Sequence, residues 1–109
     1  MPYNLDLEQR LDRLLPRFGK AVKKKMFGGI GYLINGNMAF GIHKDALVAR
    51  VTPDQADKLL KQDFVRVFDI TGRPMAGWLL ISPEGVRTDE SLMRLLKLAV
   101  DYVKTLPQK

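Results

Sequence analysis

Asn35 and Gly36 sit between two runs of strand-forming residues, "MFGGIGYLI" and "MAFGIH". Both residue types tolerate positive φ, so an Asn-Gly pair in that setting is the strongest short-range signal for a two-residue hairpin. A chain built around that hairpin has a sheet near its middle. The question is what the five glycines between Lys23 and Ile42 are for.

A phosphate-binding loop follows a strand, opens a helix and ends in Lys-Ser or Lys-Thr. Here "GGIG" runs into Tyr32, Leu33 and Ile34, which are β-formers, and the lysines precede the glycines. A dinucleotide fingerprint would also lead into a helix. The glycines are therefore read as structural. With Asn35 and Gly36 as the turn, Leu33 is expected opposite Met38, Gly31 opposite Phe40 and Gly29 opposite Ile42. On the other surface Tyr32 would meet Ala39, and Ile30 would meet Gly41. Each glycine would then make room for a large partner.

Helical periodicity brackets this sheet. Leu7, Leu11, Leu14, Leu15 and Phe18 recur at helical spacing, with Asp6 as the expected N-cap and Gln9 three residues on. Pro16 kinks or ends that helix, and Gly19 closes it. "KDALVARV" supplies a third strand. "TPDQ" starts a second helix running to Lys61, with Thr52 as N-cap, Pro53 first in the helix and Gln55 completing a capping box. "FVRVFDI", with Val65, Val67 and Asp69 on one face, and "GWLLIS" are the fourth and fifth strands. "SPEG" fits a type I turn. The last helix spans Asp89 to Leu106, presenting Leu92, Leu95, Leu96, Ala99, Val103 and Leu106 on one face before Pro107. The order α-β-β-β-α-β-β-α predicts an α+β fold of two layers: a mostly antiparallel five-stranded sheet with helices on one side. Residues 1–109 form a single domain.

Both faces of the hairpin are apolar in this reading, and "GWLLIS" repeats the pattern. Three short helices cover about one face of a sheet, so the other wants a cover. A homodimer is the economical one, with Ile30, Tyr32, Ile34 and Trp78 as the candidate dimer face. The competing expectation is that the loop around Gly72 to Gly77 folds back over it.

The net charge is +6, and residues 1–26 hold seven basic side chains against three acidic ones. Lys20, Lys23, Lys24, Lys25 and the loop residue Arg73 are candidates for contact with an anion or nucleic acid. The competing readings are a solvated basic segment and, for Arg73, an internal salt bridge. No catalytic constellation is nominated. His43 is the only histidine and is expected as a partly exposed strand-end residue, since no Cys exists and neither Ser82 nor Ser91 has nucleophile context. One His and no Cys leave zinc without its usual ligands. No cofactor or metal is implied, and no apolar run reaches the roughly 20 residues of a membrane span. Without a basic-then-apolar leader, the expected compartment is the cytoplasm.

"KKKMFGGIGYLINGNMAFGI", "LVARV", "FDITGRPMAGWLLISPEGV" and the closing helix with "TLPQK" resemble the N-terminal domain of the TfoX/Sxy family. Lys25 to Gly29 and Gly72 to Trp78 carry the most specific parts. The resemblance implies a five-stranded antiparallel sheet in a two-layer domain similar to secretion-chaperone-like folds, which often dimerise. It also implies a role near that of competence regulators acting with a cyclic-AMP receptor protein at promoters. Those regulators carry a second, helical C-terminal domain, and this chain is expected to be a single-domain member without it. No catalytic residues come with the resemblance. The expected function is a non-enzymatic regulatory module, a homodimer that binds a protein partner. The alternative is direct nucleic-acid binding through Lys20 to Lys25.

Overall fold

The hairpin forms at the expected turn: Asn35 and Gly36 hold φ of 53° and 81° between β2 (Gly29–Ile34) and β3 (Asn37–His43). The structure is a computed structural model describing residues 4–19, 21–26, 29–68 and 77–107. A second tight turn, with Lys44 at φ 57°, leads into β4 (Ala46–Arg50). β5 (Val65–Val67) and β6 (Trp78–Ile81) complete that side, and β1 (Ala21–Met26) lies on the other flank of β2. Among the described residues the sheet has six strands in the order β1-β2-β3-β4-β6-β5, and every ladder is antiparallel. The α+β class holds, with one strand more than expected. The extra strand is "AVKKKM", whose three lysines mask any alternation of apolar and polar residues. Its extended form is set by pairing with β2, and lysines are common on edge strands because they discourage unwanted pairing.

The register corrects the hairpin reading. Leu33 does face Met38, but Tyr32 faces Phe40, Gly31 faces Gly41, Ile30 faces Ile42 and Gly29 faces His43. A bulge between Tyr32 and Leu33 leaves Ala39 as an extra residue on β3, moving every later partner by one. Phe40 and Ile42 thereby join Tyr32 and Ile30 on one face, and the glycines face each other on the opposite one. The glycines are needed where backbones approach closely. A Cβ on Gly29 would run into the carbonyl oxygen of Ile42.

The helices gather over the Tyr32 face. α1 (Leu5–Leu14) starts at Asn4, not at Asp6: the Asn4 side chain accepts from the Leu7 amide at 3.1 Å, while Asp6 lies inside the first turn. A 3-10 turn, Leu15–Phe18, carries Pro16 at its start, and Gly19 ends it at φ 76°. Thr52 and Gln55 form the expected capping box on α2 (Pro53–Leu59), which stops two residues before Lys61. "SPEG" forms a 3-10 turn, Pro83–Val86, ahead of α3 (Asp89–Val103). Leu7, Leu11 and Leu14 of α1, Ala56 of α2 and the Leu92–Val103 stripe of α3 share one core cluster with Ile30, Tyr32, Phe40, Leu47, Leu79 and Ile81. Two polar contacts fasten this layer at its ends. Arg10 and Arg13 both reach Asp89, at 3.2 and 3.7 Å, joining α1 to the start of α3. Buried Asn37 donates to the Pro107 carbonyl at 2.9 Å, tying the hairpin turn to the chain after α3.

This arrangement corrects the proposed dimer face. Ile30, Tyr32 and Ile34 are buried in the chain's own core, because the face they occupy is the one the helices cover. Only Trp78, which is half-buried, lies on the opposite side.

Candidate functional site

Opposed residues in antiparallel ladders share a face, so the register sorts the side chains. One row crosses the sheet under the helices as Lys25, Ile30, Ile42, Leu47, Ile81 and Val65. The adjacent row, on the other face, runs Lys24, Gly31, Gly41, Val48, Leu80 and Arg66. That second face has a cation at each edge and an apolar centre. Leu33, Met38, Trp78 and Leu80 on it are half-buried, and Val22 is 61% exposed. The Met38 methyl group lies close enough over Gly41 that a Cβ there would sit 2.8 Å from it, so the paired glycines leave a hollow the thioether fills. No described helix packs on this face, whereas all three contribute to the core on the other.

Rings gather toward one side of this face. His43 and Phe68 lie 5.5 Å apart, and Phe68 and Trp78 6.4 Å. Arg50, opposite Trp78, has its guanidinium carbon 5.1 Å from the Trp78 ring and 5.8 Å from that of Tyr102. Planar guanidinium over an indole face is a favourable cation–π arrangement. Arg50 has no prominence in the sequence, because Trp78 and Tyr102 lie far from it along the chain and only the β4–β6 register and the packing of α3 bring them together. His43 is half-buried as expected, although its Nδ1 is buried with no hydrogen-bond partner among the described residues.

The lysine cluster divides. Strand alternation points Lys24 to the second face and Lys23 and Lys25 to the helix side. Lys23 is already engaged: its Nζ lies 2.6 Å from Glu8 and 3.0 Å from Asp12, whose other oxygen accepts from the Tyr32 hydroxyl at 2.9 Å. Lys24 and Lys25 are exposed, and no described carboxylate pairs with them. Lys20, Asp69 and Arg73, with most of the loop expected to cover the sheet, lie outside the described residues.

The hydrogen bond to Glu8 holds the Lys23 ammonium above its ordinary value of 10.5; partial burial opposes this, while the bond to Asp12 and the charge of both carboxylates reinforce it. A raised pKa contributes stability that is complete below 10.5 and is lost as pH climbs through the folded value. The urea midpoint of the native protein should therefore fall more steeply above pH 10.5 than that of Lys23→Met. The difference should shrink in 1 M salt, since Lys23 is largely in water. Parallel curves for the two proteins would show that the contact contributes nothing.

Fold and surface together define a two-layer α+β domain whose helices cover one sheet face, with no described helix on the other. Among the described residues no group of three or more His, Asp or Glu side chains comes together as a metal set, and no helix is long and apolar enough to cross a membrane. The chain belongs to the family of the TfoX N-terminal domain, whose model matches residues 13–103. No curated protein and no solved structure matches it. The matched span takes in all six strands and most of the helical layer. Family membership points to a regulatory or competence-related role.

Proposed function

We propose that this chain is a non-enzymatic interaction module of transcription-linked regulation, acting as a homodimer that presents a bound partner or is presented to one. The observation that carries the reading is the sheet face without a described helix, where Leu33, Met38, Trp78 and Leu80 remain half-buried on a surface with Lys24 and Arg66 at its edges. An apolar centre with a polar rim is the usual anatomy of a contact surface. Isologous pairing of one patch is the commonest assembly. The cytoplasm, where such regulators work, is the compartment this reading requires.

Direct nucleic-acid binding through Lys20, Lys23, Lys24 and Lys25 is the alternative. It is the weaker reading, because the strand sends neighbouring lysines to opposite faces and Glu8 and Asp12 already neutralise Lys23. A phosphate backbone needs a continuous basic track.

Mass measurement in solution tests the dimer. The expected result is twice 12.4 kDa for the native chain and a monomer for Leu33→Asp, with helix and strand content unchanged. A native protein that stays monomeric up to its solubility limit would overturn the dimer.

A further inference from the structure

We propose that the outer edge of β1 accepts an extended acidic segment of another protein as a seventh, antiparallel strand. This rests on the partner-binding reading and names the chemistry of the partner. Among the described residues the sheet has two edges, β1 and β5. β5 offers only three residues, Val65–Val67, whereas β1 offers six. Val22, Lys23, Lys24 and Lys25 are all exposed although their side chains alternate between the two faces. Exposure on both faces at once is what a strand shows when its outer flank has no cover. Such an edge presents unpaired backbone N–H and C=O groups, the template for strand addition.

Charge selects the occupant. A second copy of β1 added antiparallel about Lys24 would set Lys23 against Lys25 and Lys24 against itself, and like charges opposed across strands are destabilising. A phosphate backbone would meet Lys24 on one face and Lys25 on the other, with the Glu8 and Asp12 carboxylates beside the second. An added polypeptide strand has the same alternation as β1, so it can answer each residue on its own face. Opposite Lys25 and Lys24 it places two consecutive acidic residues. Opposite Lys23, which Glu8 and Asp12 already satisfy, it places a neutral one. Opposite exposed Val22 it places an apolar one. The recognised pattern, read along the partner, is acid, acid, polar, apolar.

The probe is a blocked six-residue peptide, Thr-Glu-Glu-Thr-Val-Thr, titrated into the native chain and followed through backbone amide signals. The expected result is saturable shifts and slowed amide exchange confined to β1 and its neighbours. Binding should weaken roughly tenfold or more when both acids become Lys, as expected from reversing two cross-strand pairs. N-methylation of alternate peptide amides should abolish it, since charge is kept but ladder bonds are lost. Lys24→Glu with Lys25→Glu should reverse the preference toward the Lys peptide; both positions are exposed, so the fold is retained, and unchanged signals from α3 verify this. No shift at millimolar peptide, equal binding of the N-methylated peptide, or a footprint away from β1 would each overturn the proposal. If the peptide fails while the native chain still weighs as a dimer, the edge proposal falls and the homodimer stands.

Discussion

Replacing Phe40 with Ala should destabilise the chain by about 3–5 kcal/mol, the range for losing a fully buried aromatic side chain. Phe40 is 0% exposed. Its ring stacks on Tyr32 with centroids 4.9 Å apart and meets the Phe18 ring edge-on at 6.2 Å. It thus joins the sheet to the 3-10 turn that returns the chain from α1 to β1. Truncation removes the aromatic contacts, leaves a cavity and frees Phe18 from its partner. A loss of this size is a large share of the roughly 5–15 kcal/mol that holds a domain folded. Urea unfolding with an unchanged m-value is the measurement. The experiment also tests the bulge. Without the extra residue Ala39, Phe40 would share the half-exposed face with Leu33 and Met38, and its truncation would cost little. A loss below about 1 kcal/mol would favour that register.

Features governed by a few neighbouring residues were legible in the sequence. Asn35 and Gly36 needed only their φ preferences, Thr52 and Gln55 their spacing, Pro16 its missing donor, and α3 its apolar stripe. The bulge was not legible, because no residue between Leu33 and Phe40 requires it locally. It is selected by the burial it achieves, bringing Phe40 and Ile42 under the helices beside Tyr32 and Ile30. β1 escaped for a related reason. Its lysines carry no hydrophobic period, and what orders them is distant: β2 on one side and, for Lys23, two carboxylates of α1. The surface was half legible. That the described helices would cover one sheet face followed from counting helices against strands. Which face it was depended on the register, and one displaced residue exchanged Ile30, Tyr32 and Ile34 for Leu33, Met38 and Leu80.

Gly41→Ala should cost about 3 kcal/mol, the upper end of what overpacking a tight site usually does. The added methyl would overlap the Ile30 carbonyl oxygen, sit 3.2 Å from the Gly31 Cα and lie 2.8 Å from the end of Met38. Of these, only the Met38 methyl group can swing aside cheaply. The other two belong to the backbone of β2, whose neighbouring ladder continues to β1. Relief requires β2 and β3 to part or to slip by one residue. Slipping of β3 would turn Phe40 and Ile42 out of the core, so it is closed off. A companion substitution separates the two obstacles. If Met38 were the obstacle, Gly41→Ala with Met38→Ala would recover most of the loss. Because the obstacle is backbone, the double variant should stay within about 0.5 kcal/mol of the sum of the single ones, the additivity expected of uncoupled changes. Substantial recovery would place the glycine's role in the side-chain hollow and leave the strand approach unstrained by a methyl group.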